Sequence, residues 1–271
     1  MSNFRAASIL ARCAVLTLPL MPVQKLLVAT GSRHARTFPH WYHRQVARIV
    51  GIKVKCIGEK PDQACLIAAN HVSWLDIPVL SAALPVSFIA KQEVSGWGIF
   101  GSLARLQRSV FIDRERRHST GNSRDEIQER LKAGDTLVLF AEGTSTDGNR
   151  VLPFRSSFFA SAETDGFLVQ PVTIAYDGHW GLPMTRRRRP FYAWYGDMEL
   201  PGHLWQALVT GPIEVTVMFH APMTVAAEGG RKNLARKAED IVRKGLIDAL
   251  SGRAGEAGSQ ASGNRLDQSQ K

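Results

Sequence analysis

A histidine and an aspartate lie five residues apart, at His71 and Asp76, within the largely apolar stretch 68–78. An imidazole has a reference pKa of about 6.5 and can therefore accept a proton near neutral pH. A carboxylate that binds one ring nitrogen fixes the tautomer and leaves the other nitrogen free to act as a general base. The spacing therefore indicates acid–base chemistry.

Three other interpretations of this pair stay open from spacing alone. Ser73 and Asp76 fit the capping-box pattern, in which the aspartate only caps the helix that follows. His71 is also compatible with a satisfied structural histidine. A metal site is a third interpretation, but no third ligand is evident nearby, so we expect no metal here.

Three further segments place polar residues where apolar strands are predicted to end. In α/β proteins, ligands bind beyond the carboxyl ends of strands, so these residues are candidates for one shared site. The candidates are Asp113 and Arg114 in "FIDR", Glu142, Gly143 and Thr144 in "FAEGTS", and Pro171 in "VQPVTI". The alternatives are a surface ion pair for the first segment and a polar turn for the second. A proline inside an apolar strand indicates an edge strand, a bulge or a close ligand approach.

The elements that position these residues follow from apolar periodicity. Strands are predicted at 52–58, 64–69, 86–91, 109–113, 135–142, 167–176, 191–198 and 213–220. Helices are predicted at 73–84, 119–134, 156–163, 202–209 and 231–250. The alternation indicates an α/β domain over 51–250, with a mixed, mostly central β-sheet flanked by helices. The Gly/Ser/Gln-rich tail at 251–271 is predicted to be disordered.

Charge is concentrated near the N-terminus. The net charge is +10, and residues 1–60 contain ten lysines and arginines but one acid, Glu59. Such a segment indicates an anionic partner, either a membrane surface or nucleic acid. No nucleic-acid-binding motif accompanies the charges, so we expect an anionic membrane surface and no nucleic acid. A solvated basic face is the alternative interpretation.

Residues 1–50 therefore form a predicted membrane-associating helical segment. The apolar run between Arg12 and Lys25 contains two prolines and is shorter than the ~20 residues that span a bilayer. Trp41 and Tyr42 can lie at headgroup level. We predict an uncleaved monotopic anchor, with a short tilted span as the alternative; a signal peptide lacks a clear cleavage site.

Cysteine usage excludes two classes of fold. Cys13, Cys56 and Cys65 lie far apart in the chain, without a CxxC pair. This spacing argues against a disulfide framework and against a zinc site, and it suits a reducing compartment.

Four segments, in this order, resemble the blocks of the glycerolipid acyltransferase family: "NHVSWLD", "VFIDR", "FAEGTS" and "VQPVTI". Together they cover about 60–175, and four ordered blocks are far more specific than one histidine–aspartate spacing. The resemblance implies that His71 is the general base and that Asp76 orients it. It also implies acyl transfer to a hydroxyl from a thioester of acyl-carrier protein or acyl-coenzyme A, without a cofactor. The implied substrate-binding residues are Asp113, Arg114, Glu142, Gly143, Thr144, Ser145, Arg155 and Pro171.

Ser145 departs from the family pattern, which has arginine at this position to hold the phosphate of the acceptor. A single hydroxyl is a poor substitute for a guanidinium fork. The stretch 142–159, with "RPFYAWYGDM" and "HLW" downstream, resembles the branch of the family that acylates lyso-ornithine lipid. That acceptor has a hydroxyl on an acyl chain and a zwitterionic amino-acid head. The resemblance therefore favours this acceptor, with lysophosphatidic acid as the second.

Two other classes of function remain as alternatives. A hydrolase would require a nucleophile, and the chain has no G-x-S-x-G motif. A non-enzymatic peripheral membrane protein would use the basic N-terminus and the "TRRRRP" cluster at 185–190. That cluster could bind lipid headgroups or the acidic acyl-carrier protein, or it could be a solvated loop. For the enzyme, we expect the cytoplasmic face of a bacterial inner membrane.

Overall fold

Short buried strands and longer helices alternate along the chain. The computed structural model describes residues 2–113, 119–163 and 166–254. The α-helices are α1 Ser2–Ala29, α2 His34–Val50, α3 Asp76–Ala83, α4 Gly98–Leu106, α5 Ser119–Lys132, α6 Leu200–Thr210 and α7 Arg231–Leu250. The strands are β1 Ile52–Ile57, β2 Leu66–Ala69, β3 Ser87–Lys91, β4 Val110–Ile112, β5 Leu137–Phe140, β6 Val169–His179, β7 Leu182–Pro183 and β8 Ile213–Phe219. Short 3-10 helices lie at Gln92–Gly96, Ser156–Ala162 and Arg189–Phe191.

One mixed sheet joins all eight strands, in the order β1-β8-β6-β2-β5-β3-β4, with β7 paired to β6. β2 lies between β5 and β6 and is parallel to both. β8 is antiparallel to β6, and β1 is parallel to β8. The predicted α/β fold with a mixed central sheet is confirmed. Because β2, β5 and β6 are parallel, their carboxyl ends share one edge, and His71 and Glu142 follow β2 and β5 at this edge.

The centre of the sheet is buried on both faces. Ile67 and Ala69 of β2 pack into the core on one face, which includes α3. Leu66 and Ala68 pack into the core on the other face, against α7. This two-sided burial explains why β2 is a continuous apolar run rather than an alternating one.

The strand predicted at 191–198 is wrong. This segment follows the 3-10 helix Arg189–Phe191 and continues as turns and irregular backbone. Its aromatic residues favour a strand in isolation. In the fold, however, Tyr192 is buried in the core. The backbone N–H of Trp194 donates to the carbonyl of Val72, in the loop after β2, at 2.9 Å. Tertiary packing therefore determines the conformation of this segment.

The N-terminal segment is longer and more regular than predicted. α1 is one 28-residue helix that continues through Pro19 and Pro22. The prediction considered only the run between two basic residues, whereas the apolar sequence extends beyond Arg12. By length and composition α1 is long and apolar enough to cross a membrane, a test that signal sequences also meet.

Polar contacts hold α1 against the rest of the fold. The Arg5 guanidinium donates to the carbonyls of Leu208 and Val50. Thr17 Oγ1 and the Tyr42 hydroxyl lie 2.7 Å apart, and Gln24 Nε2 donates to the carbonyls of Ala35 and Leu106. α1 therefore packs against α2, α4 and α6, and it leaves these large apolar residues exposed: Phe4, Val15, Leu18, Val23, Leu26 and Val28.

A histidine under α7 makes stability depend on pH. His220 Nε2 lies 2.8 Å from Thr173 Oγ1, and burial lowers the pKa of His220 to about 4. Unfolded histidine binds a proton near pH 6.5, so the stability from neutral His220 is full above pH 6.5 and is lost as the pH falls towards 4. We expect this group to contribute up to about 3 kcal/mol of acid destabilisation over that interval.

Denaturant unfolding of the wild type and of His220→Gln at several pH values between 8 and 4 measures this contribution. A glutamine amide can still donate to Thr173, so the variant retains the contact without the titration. The exposed His34→Gln serves as the control, and its free energy of unfolding should change with pH as that of the wild type does. Equal slopes for His220→Gln and the wild type would contradict the assignment.

Candidate active site

His71 and Asp76 are in direct contact. His71 Nδ1 lies 2.7 Å from Asp76 Oδ2, and the same oxygen accepts hydrogen bonds from the N–H groups of Val72 at 2.7 Å and Ser73 at 3.1 Å. Asp76 is fully buried, whereas the His71 side chain is 20% exposed. A carboxylate that already accepts N–H donors requires the proton on Nδ1, so Nε2 is the nitrogen available as a base.

The capping-box interpretation is half correct. α3 begins at Asp76 rather than at Ser73, and the aspartate accepts the Ser73 N–H as a capping box requires. The reciprocal bond is missing, because the buried Ser73 Oγ has no hydrogen-bond partner in the structure. Asp76 thus stabilises the start of α3 and also binds the ring of His71.

Tyr176 is a residue of the candidate site that sequence reasoning missed. Its hydroxyl donates to Asp76 Oδ1 at 2.7 Å, and the side chain is fully buried. Burial raises its pKa well above the usual range, so the phenol remains a donor. The available signal was a tyrosine at the end of the buried apolar run of strand β6, which runs parallel to β2.

An aromatic ring stacks against the imidazole of His71. The Phe140 ring stacks on His71, with centroids 3.9 Å apart and planes 15° apart. Phe140 is the last residue of β5, the strand beside β2. The stack limits rotation of the imidazole and places its lower face in apolar surroundings.

The Glu142 carboxylate links the loop that contains His71 to the loop that contains Leu152. Its Oε1 accepts the N–H of His71 and its Oε2 accepts the N–H of Leu152, each at 2.8 Å. Burial raises the pKa of the Glu142 carboxyl to about 8, although the two backbone donors act in the opposite direction. Glu142 is therefore placed to fix the loop backbone, and it does not line the large cavity.

The rest of the predicted "EGTS" segment does reach the cavity. Gly143, Thr144 and Ser145 line it, and Gly143 has the left-handed φ of +78°. A side chain at Gly143 would also collide with the Arg155 guanidinium. The Ser145 hydroxyl donates to the carbonyl of Trp194 at 2.5 Å, so it fastens the segment after Arg189 to the site.

The remaining predicted residues are Asp113, Arg114, Arg155 and Pro171, and the three that the structure describes do not line the large cavity. Arg155 is exposed and lies over the Phe158 ring. Asp113 follows β4, and Arg114 lies outside the described residues. Pro171 is level with Ala68 of β2, before the carboxyl end of the sheet. β6 lies between β2 and β8 and its bulge is at Tyr176–Gly178, so the edge-strand and bulge interpretations of Pro171 are wrong.

A cavity of about 780 Å³ opens at His71. Its walls are largely apolar and come from α1, α2, α4, α6 and the end of β3. Representative lining residues are Ile9, Val46, Trp74, Phe88, Leu103 and Leu204. A largely apolar cavity of this size with a few polar groups in its wall, His71 among them, is typical of a ligand site. Within the described residues, no group of three or more histidines, cysteines or carboxylates could hold a metal ion.

Residues 51–175 match the acyltransferase family model. The chain is 45% identical to the lyso-ornithine lipid O-acyltransferase of Brucella abortus, over 93% of this chain and 97% of that protein. The chain belongs to the acyltransferase family. A second member, the lyso-ornithine lipid O-acyltransferase of Rhizobium meliloti, is 41% identical over 89% of this chain and 85% of its own length.

A solved structure shares the fold of this acyltransferase. The 1-acyl-sn-glycerophosphate acyltransferase of Thermotoga maritima is similar with a TM-score of 0.65, over 92% of this chain and 97% of that one, at 21% identity. The predicted family is confirmed by the sequence relatives, and the predicted fold is confirmed by this structure.

Proposed function

We propose that this acyltransferase transfers a fatty acyl group from a thioester to the hydroxyl of lyso-ornithine lipid, giving ornithine lipid. The observation that carries the proposal is the His71–Asp76 dyad at the wall of a large apolar cavity. The similarity over nearly the full length to two lyso-ornithine lipid O-acyltransferases supports the choice of acceptor.

The dyad supports direct transfer between two bound substrates. His71 Nε2 takes the proton of the acceptor hydroxyl as its oxygen attacks the thioester carbonyl. The tetrahedral intermediate then collapses, the C–S bond breaks, and the departing thiolate takes the proton from the imidazolium. Asp76 stabilises the imidazolium between the two steps. No acyl-enzyme forms, and alignment of the hydroxyl and carbonyl supplies much of the rate.

Ser145 bears on the choice of acceptor. Its hydroxyl donates to the Trp194 carbonyl, so this position contributes a neutral group to the cavity lining rather than a cation. Within the described residues that line the cavity, there is no arginine. This environment supports an acceptor without a phosphate group, and lysophosphatidic acid is the alternative acceptor.

The membrane and the donor are further parts of the proposal. The outward apolar residues of α1 and the half-exposed Trp41 of α2 support attachment to an anionic membrane, at the cytoplasmic face of a bacterial inner membrane. Arg186, Arg187 and Arg188 are exposed and suit acidic acyl-carrier protein or lipid, with acyl-coenzyme A as the alternative donor. Arg189 is different, because it is buried and donates to the carbonyls of Tyr176 and Met184.

A transfer assay tests the proposed function. Labelled acyl groups are offered on acyl-carrier protein or coenzyme A, with lyso-ornithine lipid or lysophosphatidic acid in vesicles as the acceptor. We expect labelled ornithine lipid, strict dependence on the acceptor, and a preference for lyso-ornithine lipid of at least about tenfold in kcat/KM, because the cavity wall lacks a phosphate-binding arginine.

The same assay separates the alternatives. Thioester release without any acceptor would indicate a hydrolase. Preferential labelling of lysophosphatidic acid would overturn the choice of acceptor while leaving acyl transfer intact. In cells, a deletion strain is expected to accumulate lyso-ornithine lipid, and normal ornithine lipid levels would contradict the proposal.

A further inference from the structure

Charge in the cavity lining is confined to one place. Among the described residues that line the cavity, histidines apart, the titratable charges are Lys91 and Glu93. Both side chains are exposed, and neither takes part in an ion pair within the described residues. An isolated pair of opposite charges at an apolar cavity is suited to a ligand that carries both signs.

The strand register places this pair at a defined distance from the dyad. Phe88 of β3 is paired with Val138 of β5, and Phe140 of β5 is paired with Ala69 of β2. Continued along the strands, this register sets Lys91 level with Asn70. Two strand spacings separate them, about 10 Å. Glu93 follows in the first turn of the 3-10 helix Gln92–Gly96.

Two tryptophans in contact with each other line the same cavity as Glu93. Trp97 ends the 3-10 helix and meets Trp194 edge to face, with ring centroids 5.9 Å apart and planes at 82°. Trp194 is held by its N–H to the Val72 carbonyl, by the Ser145 hydroxyl, and by its indole N–H to the Met198 carbonyl at 2.8 Å. Both rings line the cavity. A carboxylate and aromatic rings that line one cavity form a combination that can bind an alkylammonium group.

We propose that Glu93, together with Trp97 and Trp194, binds the side-chain ammonium of an amino-acid head group on the acceptor lipid. This inference rests on the proposed function and names the group that selects its acceptor. A carboxylate here repels a phosphate, whereas the adjacent Lys91 matches the opposite charge of a zwitterion. The separation of about 10 Å between the Lys91 and Asn70 positions also suits an acceptor whose hydroxyl and charged head group are separated by an amide-linked segment.

The contact between Glu93 and the ammonium is tested by a thermodynamic cycle in which the protein and the lipid are each altered. Lyso-ornithine lipid is compared with the same lipid acetylated on its side-chain nitrogen, which removes the ammonium. For lyso-ornithine lipid, we expect Glu93→Gln to raise KM about 5–20-fold with kcat nearly unchanged, because an ionic hydrogen bond is lost. For the acetylated lipid, the variant and the wild type should have equal KM values, because the interaction is already absent.

Two further variants complete the test. Glu93→Asp retains the charge and should recover much of the lost affinity for lyso-ornithine lipid. Glu126→Gln removes an exposed carboxylate from α5 and should behave as the wild type with both lipids. Equal losses with the two lipids in Glu93→Gln would overturn the ammonium contact. A wild type that acylates lysophosphatidic acid but not lyso-ornithine lipid would instead refute the proposed function.

Discussion

His71→Ala is expected to lower kcat for acyl transfer by at least about 10²–10⁴-fold, the contribution of a positioned general base. The reason is geometric, because Nε2 is the one ring nitrogen that Asp76 does not engage. No other histidine lies in the same loop, and His43, which also lines the cavity, is engaged through Nδ1 with the Ser81 hydroxyl. Steady-state kinetics with lyso-ornithine lipid as acceptor measures the loss.

Folding needs a separate control in this experiment. Loss of the imidazole leaves space above Phe140, so His71→Gln is included as a variant of similar size without a base. Both variants should melt close to the wild type, whereas the exposed His34→Ala should retain full activity. Wild-type kcat in a folded His71→Ala protein would refute the proposed base.

The sequence predicted the parts of the fold that depend on local pattern. β2 and β5 are short apolar runs, and α7 follows helical periodicity over 231–250, so their existence and approximate bounds could be predicted. The strand predicted at 191–198 failed because Tyr192 is buried and Trp194 is held by tertiary contacts rather than by strand pairing. α1 was underestimated because Arg12 and Lys25 were taken as its boundaries.

In the candidate site, too, contacts between residues close in sequence could be predicted, whereas contacts between distant residues could not. His71 and Asp76 are close in sequence, and their contact could be predicted from spacing. Tyr176 is 100 residues from Asp76 and Trp194 is 49 residues from Ser145, and such contacts depend on strand order, which one sequence does not specify. Glu142 was predicted to bind substrate, whereas its carboxylate is placed to hold the backbone of His71 and Leu152.

Asp76→Asn is expected to reduce kcat about 10²–10⁴-fold without unfolding the site, and the cause is loss of charge. Three N–H groups converge on Oδ2, so the amide oxygen should occupy that position and keep the imidazole tautomer. The amide nitrogen then faces Tyr176, whose hydroxyl oxygen can accept. What disappears is the negative charge that stabilises the imidazolium between proton uptake and release.

Thermal unfolding measured beside kcat distinguishes this electrostatic role from a structural one. Asp76→Asn should melt close to the wild type, because the amide oxygen still accepts the three N–H groups. Tyr176→Phe keeps the carboxylate but removes one donor to it, so we expect about a 3–10-fold loss of kcat, the effect of one hydrogen bond. Wild-type kcat in a folded Asp76→Asn protein, or a loss of kcat that only accompanies unfolding, would mean that Asp76 only supports the start of α3.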